Sequence, residues 1–143
     1  MAPSTNSASP VDVLVIGGGP AGLTAATYLS RFHRSCVVLD SGKSRARWIP
    51  ESNNCPGFPQ GVSGVDLLAR MRKQAILFGT RLVTDLAEGI ERRGEAFRVR
   101  SATGEWTARC VILANGLPDR LPDGDWVEAA IESGALRLCP ICD

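Results

Sequence analysis

This chain predicts an α/β fold, in which a parallel sheet is entered through a glycine-rich βαβ unit and carries a small antiparallel meander. Three observations lead to it. Val11-Asp12-Val13-Leu14-Val15-Ile16 is a short, mostly apolar, β-branched run that stops at Gly17-Gly18-Gly19-Pro20-Ala21-Gly22. The small and apolar stretch Ala21 to Phe32 follows, and then a second apolar run, Ser35 to Asp40, with an acid at its tip. Further along, alternating segments between Thr80 and Asn115 are divided by turn signals such as Arg93-Gly94 and Thr103-Gly104.

The first run has the character of a parallel strand buried on both faces. Pro20 suits the first turn of a helix, where its missing N–H costs nothing. Strand, glycine turn, helix and strand make a βαβ unit, whose crossover is expected to be right-handed. Lys43 to Gly61 is polar, basic and rich in Pro and Gly, and reads as loop. Ser63 is placed to cap the next helix, with Asp66 near its positive end. Leu68, Met71, Ala75 and Phe78 recur at three and four residues and mark its apolar face. Gly79 is placed to end it. The Arg70, Arg72 and Lys73 cluster reads as its solvated face. Thr80 to Leu86, Ala96 to Ser101 and Glu105 to Arg109 are expected to form the meander, which returns to a buried strand at Cys110 to Ala114. Gly116 to Asp125 is a connector, and Asp125 to Ser133 a short helix.

Bulk composition narrows the function classes. The apolar and charged fractions, 44% and 22%, are those of a globular domain. Sixteen basic and fifteen acidic residues nearly cancel, and without a basic stripe no nucleic-acid partner is expected. Residues 1–10 are Ser-, Pro- and Ala-rich with no basic patch or apolar core, so they read as a disordered lead-in and not as a signal or anchor. No apolar run reaches the roughly 18 residues of a spanning helix. No membrane association is expected, and the cytoplasm is the expected compartment.

Within Gly17-x-Gly19-x-x-Gly22 each glycine has a mechanical task. The first permits a tight turn, the second lets the backbone approach a pyrophosphate, and the third lets helix and strand pack closely. The helix N-terminus beyond offers free N–H groups and a positive dipole to a phosphate. Asp40 ends the next strand about twenty residues later, where a carboxylate accepts hydrogen bonds from ribose hydroxyls. The combination is a Rossmann-like dinucleotide site. The acid at position 40 disfavours a 2′-phosphate, although Lys43, Arg45 and Arg47 lie close in sequence. FAD and NAD both remain open on these residues alone.

Five cysteines are present, and only Cys139 and Cys142 are closely spaced. Cys36 and Cys110 sit in apolar strand-like runs and read as small buried hydrophobes. Cys55 falls in the loop, open between packing and a place near the cofactor. Cys139-Pro140-Ile141-Cys142 can close a small redox disulfide, since neighbouring groups lower one thiol's pKa and the second thiol resolves a mixed intermediate. Asp143 stands next to Cys142, placed to move a proton. Structural zinc wants four ligands, and only the scattered Cys36, Cys55, Cys110 and His33 could join the pair, so no metal is expected. His33 reads as a helix-end charge.

Four segments together, Val13 to Leu23, Asn54-Cys55-Pro56-Gly57-Phe58-Pro59, Ile112-Leu113-Ala114-Asn115-Gly116 and Cys139-Pro140-Ile141-Cys142-Asp143, resemble the low-molecular-weight thioredoxin reductase family of flavoproteins. The resemblance covers residues 11 to 143 in family order. It implies an FAD-binding domain and selects FAD over NAD. Cofactor contacts are then expected at Gly17, Gly19, Pro20, Ala21, Gly22, Asp40, Ser41, Asn54, Ala114, Asn115 and Gly116. The same resemblance assigns Cys142 to face the flavin, Cys139 to attack the substrate and Asp143 to act as acid–base residue.

The implied organisation is a lead-in over 1–10, the front of the FAD-binding domain over 11–118, and over 119–143 a connector with the start of an NAD(P)H domain. The chain is expected to be an incomplete portion of such a protein, unable alone to turn over with NADPH, because the second glycine motif is not in it. The implied activity passes electrons from NADPH through FAD to the Cys139–Cys142 disulfide and on to a substrate disulfide. A dithiol oxidase running in reverse and a non-catalytic FAD-binding module are the alternatives. Departures from the family pattern are Asp40 for the commoner Glu, Cys55 for Trp, Asn115 for Thr, and Arg45-Ala46-Arg47-Trp48 for a glycine-rich segment. They leave the partner open between a thioredoxin-like protein and a small-molecule disulfide. A homodimer is a family-level expectation.

Overall fold

The computed structural model describes residues 10–138. Six strands form one sheet in the order β3-β2-β1-β6-β5-β4. They are β1 (Val11–Ile16), β2 (Cys36–Asp40), β3 (Arg81–Thr84), β4 (Ala87–Arg93), β5 (Ala96–Ser101) and β6 (Gly104–Leu113). The helices are α1 (Pro20–Arg31), α2 (Gly64–Leu77) and α3 (Val127–Glu132), with a 3-10 turn at Arg45–Trp48.

The expected βαβ unit is present: β1 and β2 pair in parallel, Val13 opposite Cys36 and Ile16 opposite Leu39. Side chains on these strands alternate between faces. Val13, Val15, Cys36 and Val38 gather with Ala26 of α1 on one side. Leu14, Val37 and Leu39 gather on the other, with Val99 of β5 and Ala108 of β6. Both faces are covered, which is why these strands read as continuous apolar runs. A third cluster joins Leu23 of α1, Ala46 of the 3-10 turn, and Leu68 and Ala75 of α2.

Helix ends follow the sequence closely. Pro20 opens α1 behind Gly19. At its far end Arg34 N–H donates to Leu29 C=O and His33 N–H to Ser30 C=O, each 3.0 Å. With His33 at φ +56°, this is a Schellman cap carrying a non-glycine residue in the left-handed position. His33 is therefore a helix-end residue, as expected, but its backbone does the work. Ser63 Oγ accepts from Asp66 N–H at 3.1 Å and starts α2, and Gly79 ends it at φ +97°.

The meander differs from the expectation in three ways. Thr80 to Leu86 does not belong to it: β3 pairs in parallel with β2, Val37 opposite Arg81 and Asp40 opposite Thr84. Helix α2 is the crossover between them, so β2-α2-β3 repeats the parallel logic of the first unit. Strand β4 was not expected, because Ala87–Arg93 is mostly exposed and charged. It is an edge strand, and such edges are protected by charge instead of an apolar alternation. Glu105 to Arg109 and the following apolar run are one strand, β6, antiparallel to β5 from Gly104 to Ala108 and parallel to β1 from Ala108 to Leu113.

Smaller corrections concern side chains. The 43–61 loop contains the 3-10 turn and is pinned by the isolated Ser52–Val62 bridge. Phe78, expected on the buried face of α2, caps the helix and is exposed, although Leu68 and Ala75 are buried as expected. Cys110 is exposed, unlike Cys36. Burial pushes the Cys36 thiol up to about 11, which leaves it an inert packing group.

Candidate functional site at the carboxyl ends of the parallel strands

The carboxyl ends of β1, β2 and β6 meet at the glycine turn. Gly17 N–H donates to Leu39 C=O at 2.8 Å, and Ala114 N–H to Ile16 C=O at 2.8 Å. Gly17 has φ +109°, and a Cβ there would stand 2.2 Å from the Ala114 carbonyl oxygen. At Gly22 a Cβ would stand 1.9 Å from the Gly17 carbonyl oxygen. Both positions exclude any side chain, the first to let the strand turn and the second to seat α1 against it. Gly18, which the motif leaves free, is also constrained: its Cβ would lie 2.3 Å from the Asp40 carboxyl carbon. Gly19 caps α1, and Ser44 Oγ would be 3.1 Å from a Cβ there.

Asp40 is buried at the tip of β2. Its Oδ1 accepts the Gly42 N–H at 2.9 Å, and its Oδ2 forms an ion pair with Arg72 of α2. Sequence reasoning assigned Arg72 to the solvated face of its helix. Its position four residues after the buried Leu68 was the available signal, since that spacing shares a helix face. β3 joins the same corner, because Asp85 N–H donates to Asp40 C=O at 3.1 Å. Burial pushes the Asp85 carboxyl up, but hydrogen bonds from Ser101, Thr103 and the Leu86 N–H outweigh it and hold it below the ordinary carboxylate range. Thr103 Oγ1 donates to Asp85 Oδ2 at 2.5 Å, so the turn of the meander is tied to this end of the sheet.

The structure thus brings together Gly17, Gly19, Pro20, Ala21, Gly22, Asp40 and Ala114, with Ser41 next along the chain. Asn115 and Gly116 follow Ala114 and are exposed, Gly116 at φ +64°. Asn54 lies in the pinned loop, where Ser52 Oγ donates to its Oδ1 at 2.8 Å. Cys55, beside it, is a half-buried free thiol. Cys139, Cys142 and Asp143 lie outside the described residues.

Two arginines near the site face a different way from the phosphate role open to them in the sequence. Arg45 Nε donates to Asp119 Oδ2 at 2.5 Å, and the same guanidinium donates to the Leu138 carbonyl. Arg47 lies 4.4 Å over the Trp48 ring and 3.9 Å from Glu128. Both reach the segment between the sheet and the cysteine pair. Beside them a cavity of about 600 Å³ is lined by Trp48, Ile49, Val65 and Ile131 among others. No helix among the described residues is long and apolar enough to cross a membrane.

Residues 15–60, which contain the glycine turn and Asp40, match the family of NAD(P)-binding Rossmann-like domains. A thioredoxin reductase of Treponema pallidum is 33% identical over 134 residues, covering 92% of this chain and 43% of the relative. A bifunctional thioredoxin reductase/thioredoxin of Mycobacterium leprae is 36% identical over 135 residues, covering 92% of this chain and 29% of the relative. Over most of its length the chain is similar to part of these thioredoxin reductases. The solved thioredoxin reductase from Gloeobacter violaceus superimposes on this chain with a TM-score of 0.74 at 34% identity, over 80% of this chain and 37% of that one. The chain spans less than half the length of each of these relatives.

The glycine turn passes a simple test of fit for an adenine dinucleotide. Gly17, Gly18 and Gly22 pack so closely on Ala114, Asp40 and Gly17 that none admits a Cβ, and this packing sets the turn's backbone beside a buried carboxylate and an N-terminus of α1 with no side-chain cap. That is the shape and the donor–acceptor set that a pyrophosphate flanked by a ribose requires.

Proposed function

We propose that this chain forms the FAD-binding and disulfide-bearing portion of an NADPH-dependent disulfide oxidoreductase. The observation that carries the reading is the meeting of Gly17, Gly18, Gly22, Asp40 and Ala114 at the carboxyl ends of β1, β2 and β6, in a chain whose sequence continues to Cys139 and Cys142. The likeness to thioredoxin reductases supports it. Backbone N–H groups of Gly19, Ala21 and Gly22 would hold the pyrophosphate, and Asp40 with Ser41 the adenosine ribose. Asn54, Ala114, Asn115 and Gly116 complete the proposed contacts. FAD, when bound, supplies two-electron chemistry linking a nicotinamide to a disulfide.

The protein's own share of the reaction is thiol exchange. As a thiolate, Cys139 bonds to one sulfur of the substrate disulfide, and the other sulfur leaves with a proton. Cys142 then attacks the Cys139 sulfur, which releases the second substrate thiol and restores the Cys139–Cys142 disulfide. Asp143 moves the protons at these sulfurs. The substrate is a thioredoxin-like protein or a small-molecule disulfide, and the compartment is the cytoplasm. In the full-length protein, Cys142→Ser is expected to abolish NADPH-dependent disulfide reduction while the visible flavin bands remain. Reduction at the wild-type rate would remove the thiols from the mechanism.

A further inference from the structure

The ion pair between α2 and the tip of β2 adds a residue to the nucleotide site. The geometry points to Arg72 as a positioning residue that, through Asp40, reads the free 2′,3′-diol of the nucleotide's adenosine ribose. This rests on the proposed nucleotide site and deepens it.

Asp40 is 7% exposed and Arg72 35% exposed, so the pair is shielded on the acid's side and open on the cation's. A carboxylate offers about four lone-pair sites. Gly42 N–H takes one on Oδ1, and Arg72 takes one on Oδ2. Oδ2 is also the oxygen that a Cβ at Gly18 would meet at 2.3 Å. The missing side chain therefore lets the glycine turn lie directly against the oxygen that Arg72 holds. Arg72 fixes the carboxylate's rotation, so its remaining lone pairs keep one direction toward the glycine turn.

A ribose hydroxyl is both donor and acceptor. Asp40 accepts its proton, and Arg72 acts on that contact by holding the carboxylate in one orientation. A carboxylate fixed in this way meets a vicinal diol with its lone pairs already aimed, whereas a freely rotating acid must be ordered on binding. The helix supplies the rigidity. Met71 and Ala75 of α2 pack into the third cluster, so the Arg72 backbone is anchored on both sides.

The test titrates this chain with ADP and with 2′-deoxy-ADP, by calorimetry. The wild type is expected to bind ADP about tenfold more tightly, the size of one charge-assisted hydrogen bond. Arg72→Gln is expected to weaken ADP by about tenfold, to leave 2′-deoxy-ADP nearly unchanged and so to erase the preference. Arg72→Lys, which keeps the charge, is expected to restore part of it. Circular dichroism melting of each variant without ligand confirms folding. Equal losses for both nucleotides would make Arg72 merely structural and overturn the proposal, as would an Arg72→Gln variant that keeps the wild-type preference. A wild type that binds ADP without preferring it over the deoxy form overturns ribose reading but leaves the nucleotide site standing. A wild type that binds neither refutes the site itself, and the proposal falls with it.

Discussion

The glycine turn and the connector arm are held to the same sheet by opposite kinds of force. At the turn, carbonyl oxygens stand where a Cβ would be, 2.2 Å away at Gly17 and 1.9 Å at Gly22. Nothing there can be adjusted, because the obstacle is backbone and a Cβ has no rotamer to move it away. The arm from Gly116 onward is held by long side chains: Arg45 to Asp119 with 42% and 26% of those side chains exposed, and Arg47 to Glu128 with 43% and 67% exposed. Exposed pairs of this kind contribute about 0–1 kcal/mol each and weaken with salt. The proposed cofactor site is closed by backbone, whereas the arm adds to its buried Val127 and Ile131 only ion pairs that are cheap to break.

The strongest way to break this contrast is Gly22→Val. It should cost more than about 3 kcal/mol, since the side chain meets backbone that cannot yield. Urea unfolding of the purified variant checks it, and a loss under 1 kcal/mol would mean that the α1–β1 contact is looser than its geometry implies.

Acid probes the same end of the sheet more gently. The Asp85 carboxyl is held below its ordinary value, so its stabilising effect is complete above the unfolded value of about 4. It is lost as pH falls through the lowered folded value. The melting temperatures of wild type and Asp85→Asn should therefore differ at pH 6 and converge below pH 4. A gap that stays constant through this range would take the titration of Asp85 out of the account.

The smallest effect belongs to the arm. Arg45→Ala should change global stability by about 1 kcal/mol or less while hydrogen exchange quickens over residues 119–138. Added salt should produce a similar quickening in the wild type. Unchanged exchange in the variant would show that Val127 and Ile131, both buried, hold the arm without the arginines.

How legible the molecule was depended on the distance over which each feature is decided. Pro20, the Ser63 cap and the Gly79 stop were readable because each acts within one turn of chain, and the glycine motif because its spacing is itself a local pattern, although Gly17 is packed against the distant Ala114. Cys110 was misread because β6 leaves it exposed, and an apolar run does not say which of its residues face solvent. The charged edge strand β4 carried no apolar alternation to find.

The sequence by itself determined the βαβ unit, its bare glycine turn and the acid at the tip of β2. These are legible because apolar runs, glycine spacing and a strand-end acid are patterns in the residue types themselves. Only the tertiary structure decided that β3 runs parallel beside β2, that β6 serves both halves of the sheet, and that Arg72 meets Asp40 across 32 residues. The same holds for Arg45 and Asp119, 74 residues apart. Such pairings come from the packing of whole helices and strands, and a side chain's local surroundings in sequence carry no record of which distant partner that packing will deliver.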